Sequence, residues 1–199
     1  MKHILLTGFE SFHDIVVNPS ETLVNQLFDS IHSGAGYQCE KIVLPVDYQK
    51  AGEIMSGLDF SQYDFVFQFG VAAERRKVSL ERVALNWIES TLSDSSGLQP
   101  SQKKILTNSP DAFFSSLDLA TLSKDLNQRC NHACSEVSFT AGAFLCNFVY
   151  YLSLSKTSKC LFTHIPLCIK YGDHEWSSHD KRYQEAVCKI AQQIISFVI

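Results

Sequence analysis

Apolar residues along the chain follow two spacings, one typical of buried strands and one typical of amphipathic helices. Short apolar runs bounded by turn residues predict strands at His3–Thr7, Cys39–Val46, Asp64–Gly70, Val78–Trp87, Val137–Thr140 and Lys159–Ile165. Apolar positions at helical spacing predict helices at Glu21–His32, Tyr48–Gly57, Leu119–Ala133, Cys146–Ser155 and Asp180–Phe197. Strands that alternate with helices predict an α/β protein, a three-layer α/β/α open and mostly parallel twisted sheet with helices on both faces.

The connections between these elements indicate where function would lie. Ser33–Gly36 is expected to end the first helix, and the serine-rich stretch Ser90–Gln102 is predicted to be a surface loop or flap. No repeat or linker divides the chain, so residues 1–199 are expected to form a single domain. Functional loops in such sheets follow the carboxyl ends of strands. Four loops are therefore expected at one edge of the sheet: Gly8–Asn18, Gly70–Lys77, Ala141–Cys146 and His164–Pro166.

Composition narrows the class of protein. Apolar residues make up 45% of the chain, charged residues 19%, and the net charge is −4, which is ordinary for a globular protein and offers no basic surface for nucleic acid or an anionic membrane. No apolar run approaches a membrane span, and the first residues lack a signal-peptide pattern, so the cytoplasm is predicted. Seven cysteines, an odd number placed inside predicted elements, indicate reduced thiols rather than a disulfide framework.

Three residues could carry chemistry. Cys146 lies at a predicted helix start, where free N–H groups and the helix dipole favour a thiolate. His164 ends a strand at the same predicted edge of the sheet. Glu81 lies within a strand. If that strand is central, the carboxylate needs a cation or hydrogen-bond donors, whereas at a sheet edge it is simply solvated. Together they are the parts of a thiol-hydrolase triad. Each also fits a structural role, and from the residues alone ordinary burial is the stronger interpretation of Cys146.

Other polar patterns point to structure. Asp173-His174-Glu175 with His179-Asp180 fits no zinc motif and is interpreted as a solvated loop before a helix N-cap. Cys130 and Cys134, at i and i+4 on a predicted helix, are expected to pack in the core. Gly34 and Gly36 lack the rest of a phosphate-binding loop. These patterns therefore give no support to a zinc site or a nucleotide-binding role.

Four ordered segments resemble the signatures of the pyroglutamyl peptidase I (pyrrolidone-carboxylate peptidase) family over about residues 3 to 167. They are Thr7–Phe12 with Asn18-Pro19-Ser20, Glu81–Asn86, Thr140–Asn147, and His164-Ile165-Pro166. The resemblance implies a cysteine peptidase that removes N-terminal pyroglutamate from peptides through a thioester, without metal or cofactor and as a homotetramer or homodimer. It makes Cys146 the nucleophile, His164 the general base and acid, and Glu81 the partner of the histidine.

The resemblance also implies a substrate pocket. It places Phe9, Phe12, Phe144 and Leu145 around the pyrrolidone ring and Asn18 beside them, with Val71 and Leu92 at positions that meet substrate in the family. This sequence departs from the family pattern at His13, at Val71 in place of a glutamine, and at Thr91 in place of an arginine for which Arg75 or Arg76 could substitute. These departures favour a slow or altered-specificity enzyme. The alternatives are a weakened or non-catalytic homologue that binds cyclic N-termini, and a thiol amidase for another small acyl group.

Overall fold

The computed structural model describes residues 1–12, 16–32, 37–171 and 174–199. The expectations on His13, on the helix end at 33–36 with its two glycines, and on Asp173 lie outside these ranges.

A six-stranded sheet forms the centre of the molecule, with strand order β2-β1-β3-β8-β4-β7. The strands are β1 Lys2–Phe9, β2 Tyr37–Leu44, β3 Phe65–Val71, β4 Val78–Glu81, β5 Val83–Leu85, β6 Ala112–Phe114, β7 Ser135–Ser138, β8 Cys160–Ile165, β9 Cys168–Tyr171 and β10 His174–Ser177. The helices are α1 Pro19–His32, α2 Tyr48–Gly57, α3 Leu119–Cys130, α4 Leu145–Leu154 and α5 Lys181–Val198. Two short antiparallel pairs, β5–β6 and β9–β10, lie outside the main sheet.

Helices cover both faces of the sheet. Successive strand residues point to opposite faces, so the apolar side chains of one strand pack against helices on both sides. Ile4 and Leu6 of β1 join the core formed with α1, α3 and α5, whereas Leu5 joins the core formed with α2 and α4. The predicted α/β/α architecture is thus confirmed. None of the helices in the described ranges has the length and apolarity needed to cross a membrane.

The direction of β4 and β7 differs from the expectation for the site loops. Strands β2, β1, β3 and β8 are parallel, so the sheet is mostly parallel as predicted, but β4 runs antiparallel to β8 and β7 runs parallel to β4. The carboxyl end of β7 therefore points away from that of β8, yet the loop after β7 still meets the other predicted site loops, because Phe144 and Leu145 line one cavity with Phe9 and Val71. Residues 139–144 instead bring the chain onto the α2/α4 face, where α4 begins.

Several predicted boundaries change in the structure. The predicted strand Val78–Trp87 is two strands, because the chain leaves the main sheet at Arg82, whose guanidinium donates to the carbonyls of Ser115 and Leu117. β5 then pairs with β6, a strand that was not predicted.

Two further corrections concern loops near helix ends. The predicted helix Leu119–Ala133 ends at Cys130, because Asn131 adopts a left-handed conformation with φ 58°. Cys134 is therefore not on that helix. His174 and Glu175 lie in strand β10 rather than in the predicted loop, while Asp180 caps α5 as predicted by accepting from the Arg182 N–H.

Candidate active site

The register of the sheet brings His164 and Glu81 together. His164 of β8 lies between Gly70 of β3 and Ser79 of β4. Glu81 follows Ser79 by two residues on the same strand, so the side chains of Glu81 and His164 both project to the α2/α4 face of the sheet. His164 Nδ1 donates to Glu81 Oε1 at 2.7 Å, and the two side chains are 5% and 0% exposed. The structure thus brings two of the three predicted catalytic residues into direct contact inside the protein.

Arg75 supplies the cation that a buried carboxylate needs. Its guanidinium donates to Glu81 Oε1 at 2.5 Å and to the Thr140 carbonyl at 2.8 Å. Glu81 therefore fits the central-strand alternative, with a cation and a donor on the same oxygen. Its Oε2 atom has no hydrogen-bond partner among the described residues.

The same contacts bear on the arginine that Thr91 replaces. Arg75 is hydrogen-bonded to Glu81 and Thr140 and does not line the cavity beside Cys146. Arg76 is 62% exposed and lies near Glu175 on the surface. Of the two, Arg75 is the one near the site, since its charge lowers the pKa of Cys146.

Cys146 is the second residue of α4, which packs on the same face of the sheet as the His164–Glu81 pair. Its Sγ atom lies so close to β3 that a Cβ added to Gly70 would be 2.9 Å away. Because Gly70 is the register partner of His164, the thiol stands beside the histidine strand. No hydrogen bond joins Cys146 to His164 within the described part of the chain. Gly142, at φ +80°, makes the preceding turn.

Two buried side chains fix the start of α4 and the strand of Glu81. Asn147 accepts from the Leu85 N–H at 2.8 Å and donates to the carbonyls of Leu85 and Trp87, both at 2.9 Å. Tyr150 donates to the Glu81 carbonyl at 2.9 Å. These positioning roles were not predicted. The signal available in the sequence was an asparagine directly after the candidate nucleophile in an otherwise apolar helix, because a buried amide needs hydrogen-bond partners.

The electrostatics of the site differ from the helix-terminus expectation. Burial, followed by the charge of Glu81, raises the pKa of Cys146 to about 12, against the opposing effects of Arg75 and the residue's own N–H. Burial also lowers the pKa of His164, and it outweighs the raising effect of Glu81. The N–H at the helix start lowers the pKa of Cys146 as expected, but burial outweighs it, so burial favours the thiol of Cys146 and the neutral imidazole of His164.

A cavity of about 180 Å³ opens beside Cys146. It is lined by Phe9, Phe12, Asn18, Val46, Val71, Leu92, Phe144, Leu145 and Cys146. All seven predicted substrate-binding residues thus surround one cavity, and Val46 is an addition that sequence reasoning missed. None of these lining residues is charged.

Asn18 has a second, structural task at the cavity. Its amide donates to the Glu10 carbonyl at 2.9 Å and accepts from the Ser20 N–H at 3.0 Å and the Ser20 hydroxyl at 2.9 Å. The Ser20 hydroxyl in turn accepts from the Phe9 N–H at 3.0 Å. Asn18 therefore positions the loop that presents Phe9 to the cavity.

The predicted flap is held by Asp94. Its carboxylate accepts backbone N–H groups from Ser96 and Leu98 within the flap and from Tyr48 at the start of α2, each at 2.9 Å. Leu92 is 53% exposed and forms the rim of the cavity. The flap is thus tied to the scaffold at Asp94 and presents Leu92 to the entrance.

Comparison with known proteins identifies the family. A family model described as pyroglutamyl peptidase matches residues 2–170. The chain belongs to the pyroglutamyl peptidase family. The pyrrolidone-carboxylate peptidase of Oceanobacillus iheyensis is 36% identical over 173 residues, which cover 83% of this chain and 84% of the relative.

Solved structures of pyroglutamyl peptidases share the whole architecture. The pyrrolidone carboxyl peptidase of Fervidobacterium islandicum superposes with a TM-score of 0.82 at 28% identity, over 98% of this chain and 97% of that one. A variant of the P. furiosus pyrrolidone carboxyl peptidase gives 0.84 at 28% identity, with the same coverage of 98% and 97%. The similarity therefore includes α5, which the sequence resemblance left out.

Proposed function

We propose that this chain is a cysteine peptidase that removes pyroglutamate from the N-terminus of peptides, with Cys146 as nucleophile, His164 as base and acid, and Glu81 as partner of the histidine. One observation carries the proposal. A small apolar cavity has Cys146 in its wall, and the buried His164–Glu81 pair lies on the neighbouring strands. Membership of the pyroglutamyl peptidase family gives this arrangement its reaction class.

The walls of the cavity favour an uncharged ring. A pyrrolidone ring is neutral and compact, and aromatic and aliphatic side chains provide its packing surface. Among the described lining residues, a free α-ammonium or a side-chain carboxylate would find no counter-ion, which is costly in an apolar site. The cavity therefore favours pyroglutamyl over prolyl or glutamyl N-termini.

Proton transfer from Cys146 to His164 starts the reaction. Because His164 donates Nδ1–H to Glu81, its Nε2 is available as a base, and the thiolate that forms attacks the carbonyl carbon of the pyroglutamyl residue. The imidazolium is stabilised by Glu81 and gives its proton to the departing amine. Water then hydrolyses the thioester with His164 again as base, which releases pyroglutamate and restores the thiol.

Stabilisation of the oxyanion falls to the N–H groups at the start of α4, which have no partner within the helix. The family's arginine is absent at Thr91, and loss of one oxyanion donor costs roughly 10²–10³-fold in rate. Val71 likewise offers only backbone groups to the ring. We therefore expect a slower enzyme than a family member that carries both side chains.

A pyroglutamyl amide with a fluorogenic leaving group tests the proposal. Cys146→Ala should abolish turnover, whereas Cys188→Ala, a half-buried thiol on α5, should leave it unchanged. Retained activity in Cys146→Ala would disprove the assignment of the nucleophile. A prolyl amide serves as the matched charged-ring substrate and should be turned over far more slowly.

The same assay separates the alternatives. Stoichiometric binding of a pyroglutamyl compound without turnover, with Cys146 inert to iodoacetamide, would indicate a binding protein. Faster turnover of another small acyl amide would indicate a thiol amidase with different specificity. Both outcomes would leave the family and fold unaffected.

Four wider expectations accompany the proposal. We propose that residues 1–199 act as one domain and that the enzyme works in the cytoplasm, in keeping with seven cysteines that are all in thiol form. No cofactor is proposed, since the described side chains supply nucleophile, base and partner. A homotetramer or homodimer stays a prediction from the family resemblance.

A further inference from the structure

Two thiols away from the active site lie almost at bonding distance. Cys130 is the last residue of α3 and Cys134 directly precedes β7. Their Sγ atoms are 2.7 Å apart, about 0.7 Å longer than a disulfide bond of about 2.05 Å. The residues are 7% and 1% exposed. Neither takes part in the proposed hydrolysis.

The backbone holds this pair together independently of the sulfur atoms. Asn131 reverses the chain in a left-handed conformation, and the His132 N–H donates to the Asn127 carbonyl at 3.2 Å. The Asn127 side chain accepts from the Ser135 N–H at 2.8 Å and donates to the Ser135 carbonyl at 3.1 Å. Closing the sulfur–sulfur gap therefore requires small side-chain movements rather than a refolded loop.

We propose that Cys130 and Cys134 form a dithiol site that hydrogen peroxide oxidises to an intrachain disulfide. The Cys130 sulfur, the more exposed of the two, attacks a peroxide oxygen and becomes a sulfenic acid as the O–O bond breaks and water leaves. The Cys134 sulfur then attacks the sulfenic sulfur, forms the S–S bond and releases a second water. Two thiols lose two electrons and two protons in total, and the peroxide is reduced to two molecules of water.

The setting of the pair predicts a slow response. The hydrogen bond to Cys130 and burial both raise the pKa of Cys134, so little thiolate is present at neutral pH. The site therefore resembles a protective thiol pair more than a fast peroxide sensor. In a reducing compartment the bond would be transient and would report oxidative conditions.

The bond would also brace the scaffold of the active site. The Cys134 carbonyl accepts from the Val78 N–H at 3.0 Å, at the start of the strand that ends in Glu81. A link from α3 to this point closes a short loop in the unfolded chain, which stabilises the folded state modestly. We expect the thermal unfolding midpoint to rise by about 4 °C on oxidation.

The test uses the full chain carrying Cys146→Ala, so that oxidation of the candidate nucleophile does not contribute. Reduced protein is treated with hydrogen peroxide, denatured in N-ethylmaleimide, and analysed by intact mass and peptide mapping. We expect two thiols to become unreactive together, a peptide linked through Cys130 and Cys134, and recovery of both thiols with dithiothreitol. Adding Cys188→Ser should leave this result unchanged, whereas adding Cys134→Ser should abolish the linked peptide.

Cys168 and Cys188 are both half-buried, so their oxidation in the same sample shows that enough peroxide was added. The proposal is overturned if these two are oxidised while Cys130 and Cys134 both still react with maleimide. It is also overturned if either cysteine links to a different partner, or if the bond lowers the unfolding midpoint. The chain without the Cys134 substitution supplies these readouts even if Cys134→Ser fails to fold.

Discussion

His164 is the residue whose protonation sets the pH range of the proposed reaction. Burial lowers its pKa below the ordinary value of 6.5, and Arg75 adds to that lowering while Glu81 opposes it. The neutral imidazole is the active base, so activity is lost as pH falls through the lowered pKa. The acid limb of the profile of kcat/KM against pH is therefore expected below pH 6.5.

Arg75 is expected to act as a positioning residue through this pair. In Arg75→Gln the pKa of His164 rises because a nearby positive charge is lost, so the acid limb should move to higher pH and kcat should fall by about 10-fold or more. Arg75→Lys, which keeps the charge, should retain the position of the acid limb. Arg76→Gln is the matched surface control and should match the parent enzyme. An unmoved acid limb in Arg75→Gln would contradict this role.

Tyr48 carries a stability prediction. Its hydroxyl is buried and has no hydrogen-bond partner among the described residues, although its ring packs against Phe144 and Phe148. Removing an unsatisfied buried hydroxyl should help, so Tyr48→Phe is expected to raise the free energy of unfolding by about 1 kcal/mol, measured in urea. The buried Tyr183 hydroxyl donates a hydrogen bond to the Pro166 carbonyl, so Tyr183→Phe should lower the free energy of unfolding. A destabilised Tyr48→Phe would show that this hydroxyl has a partner.

At the scale of elements, the site depends on how closely α4 approaches the sheet. Gly70 allows this approach, because a Cβ there would lie 2.8 Å from Phe162 Cζ and 2.9 Å from Cys146 Sγ. The sequence indicated Gly70 and Cys146 separately but not that they are in contact. A glycine at the end of a strand is equally typical of a turn, so it does not by itself predict a close helix approach. The distance follows from helix packing, which no local pattern encodes.

Gly70→Ala should therefore displace the thiol. A shift of about 1 Å at a reacting atom can cost about 10²-fold in rate, and we expect a loss of that order in kcat/KM for a pyroglutamyl amide. Gly57→Ala at the end of α2 is the matched control, because a Cβ there meets nothing within 4 Å. Equal activity of the two variants would show that the thiol tolerates the added methyl group.

Strand direction was the main part of the fold that the sequence could not predict. A short buried run such as Val78–Glu81 has the same apolar pattern in either direction, so the antiparallel pairing of β4 with β8 could not be predicted. β6 and the β9–β10 pair were missed because runs of three or four residues show no clear period. Helices were predicted well, since α2 has the expected bounds and Asp180 caps α5.

For the whole molecule, the ordered motifs were sufficient to predict the family and the fold, and both are confirmed. The motif residues specify structure and chemistry together: Asn147 anchors α4, Asn18 anchors the first loop, and Glu81 and His164 form the buried pair. The raised pKa of Cys146 could not be predicted from the sequence, because it depends on burial by residues that are distant in the chain. The catalytic and pocket roles stay predictions that the assays above would test.

The Arg75–Glu81–His164 chain has a consequence for how charge is handled during turnover. With the thiol and the imidazole in the neutral forms that burial favours, the charges of the paired guanidinium and carboxylate sum to zero. Transfer of the thiol proton to His164 leaves that sum unchanged, whereas a proton taken from solvent would leave one uncompensated positive charge in the interior. In the proposed mechanism we therefore expect the proton that protonates the leaving amine to be the one that the thiol gave up.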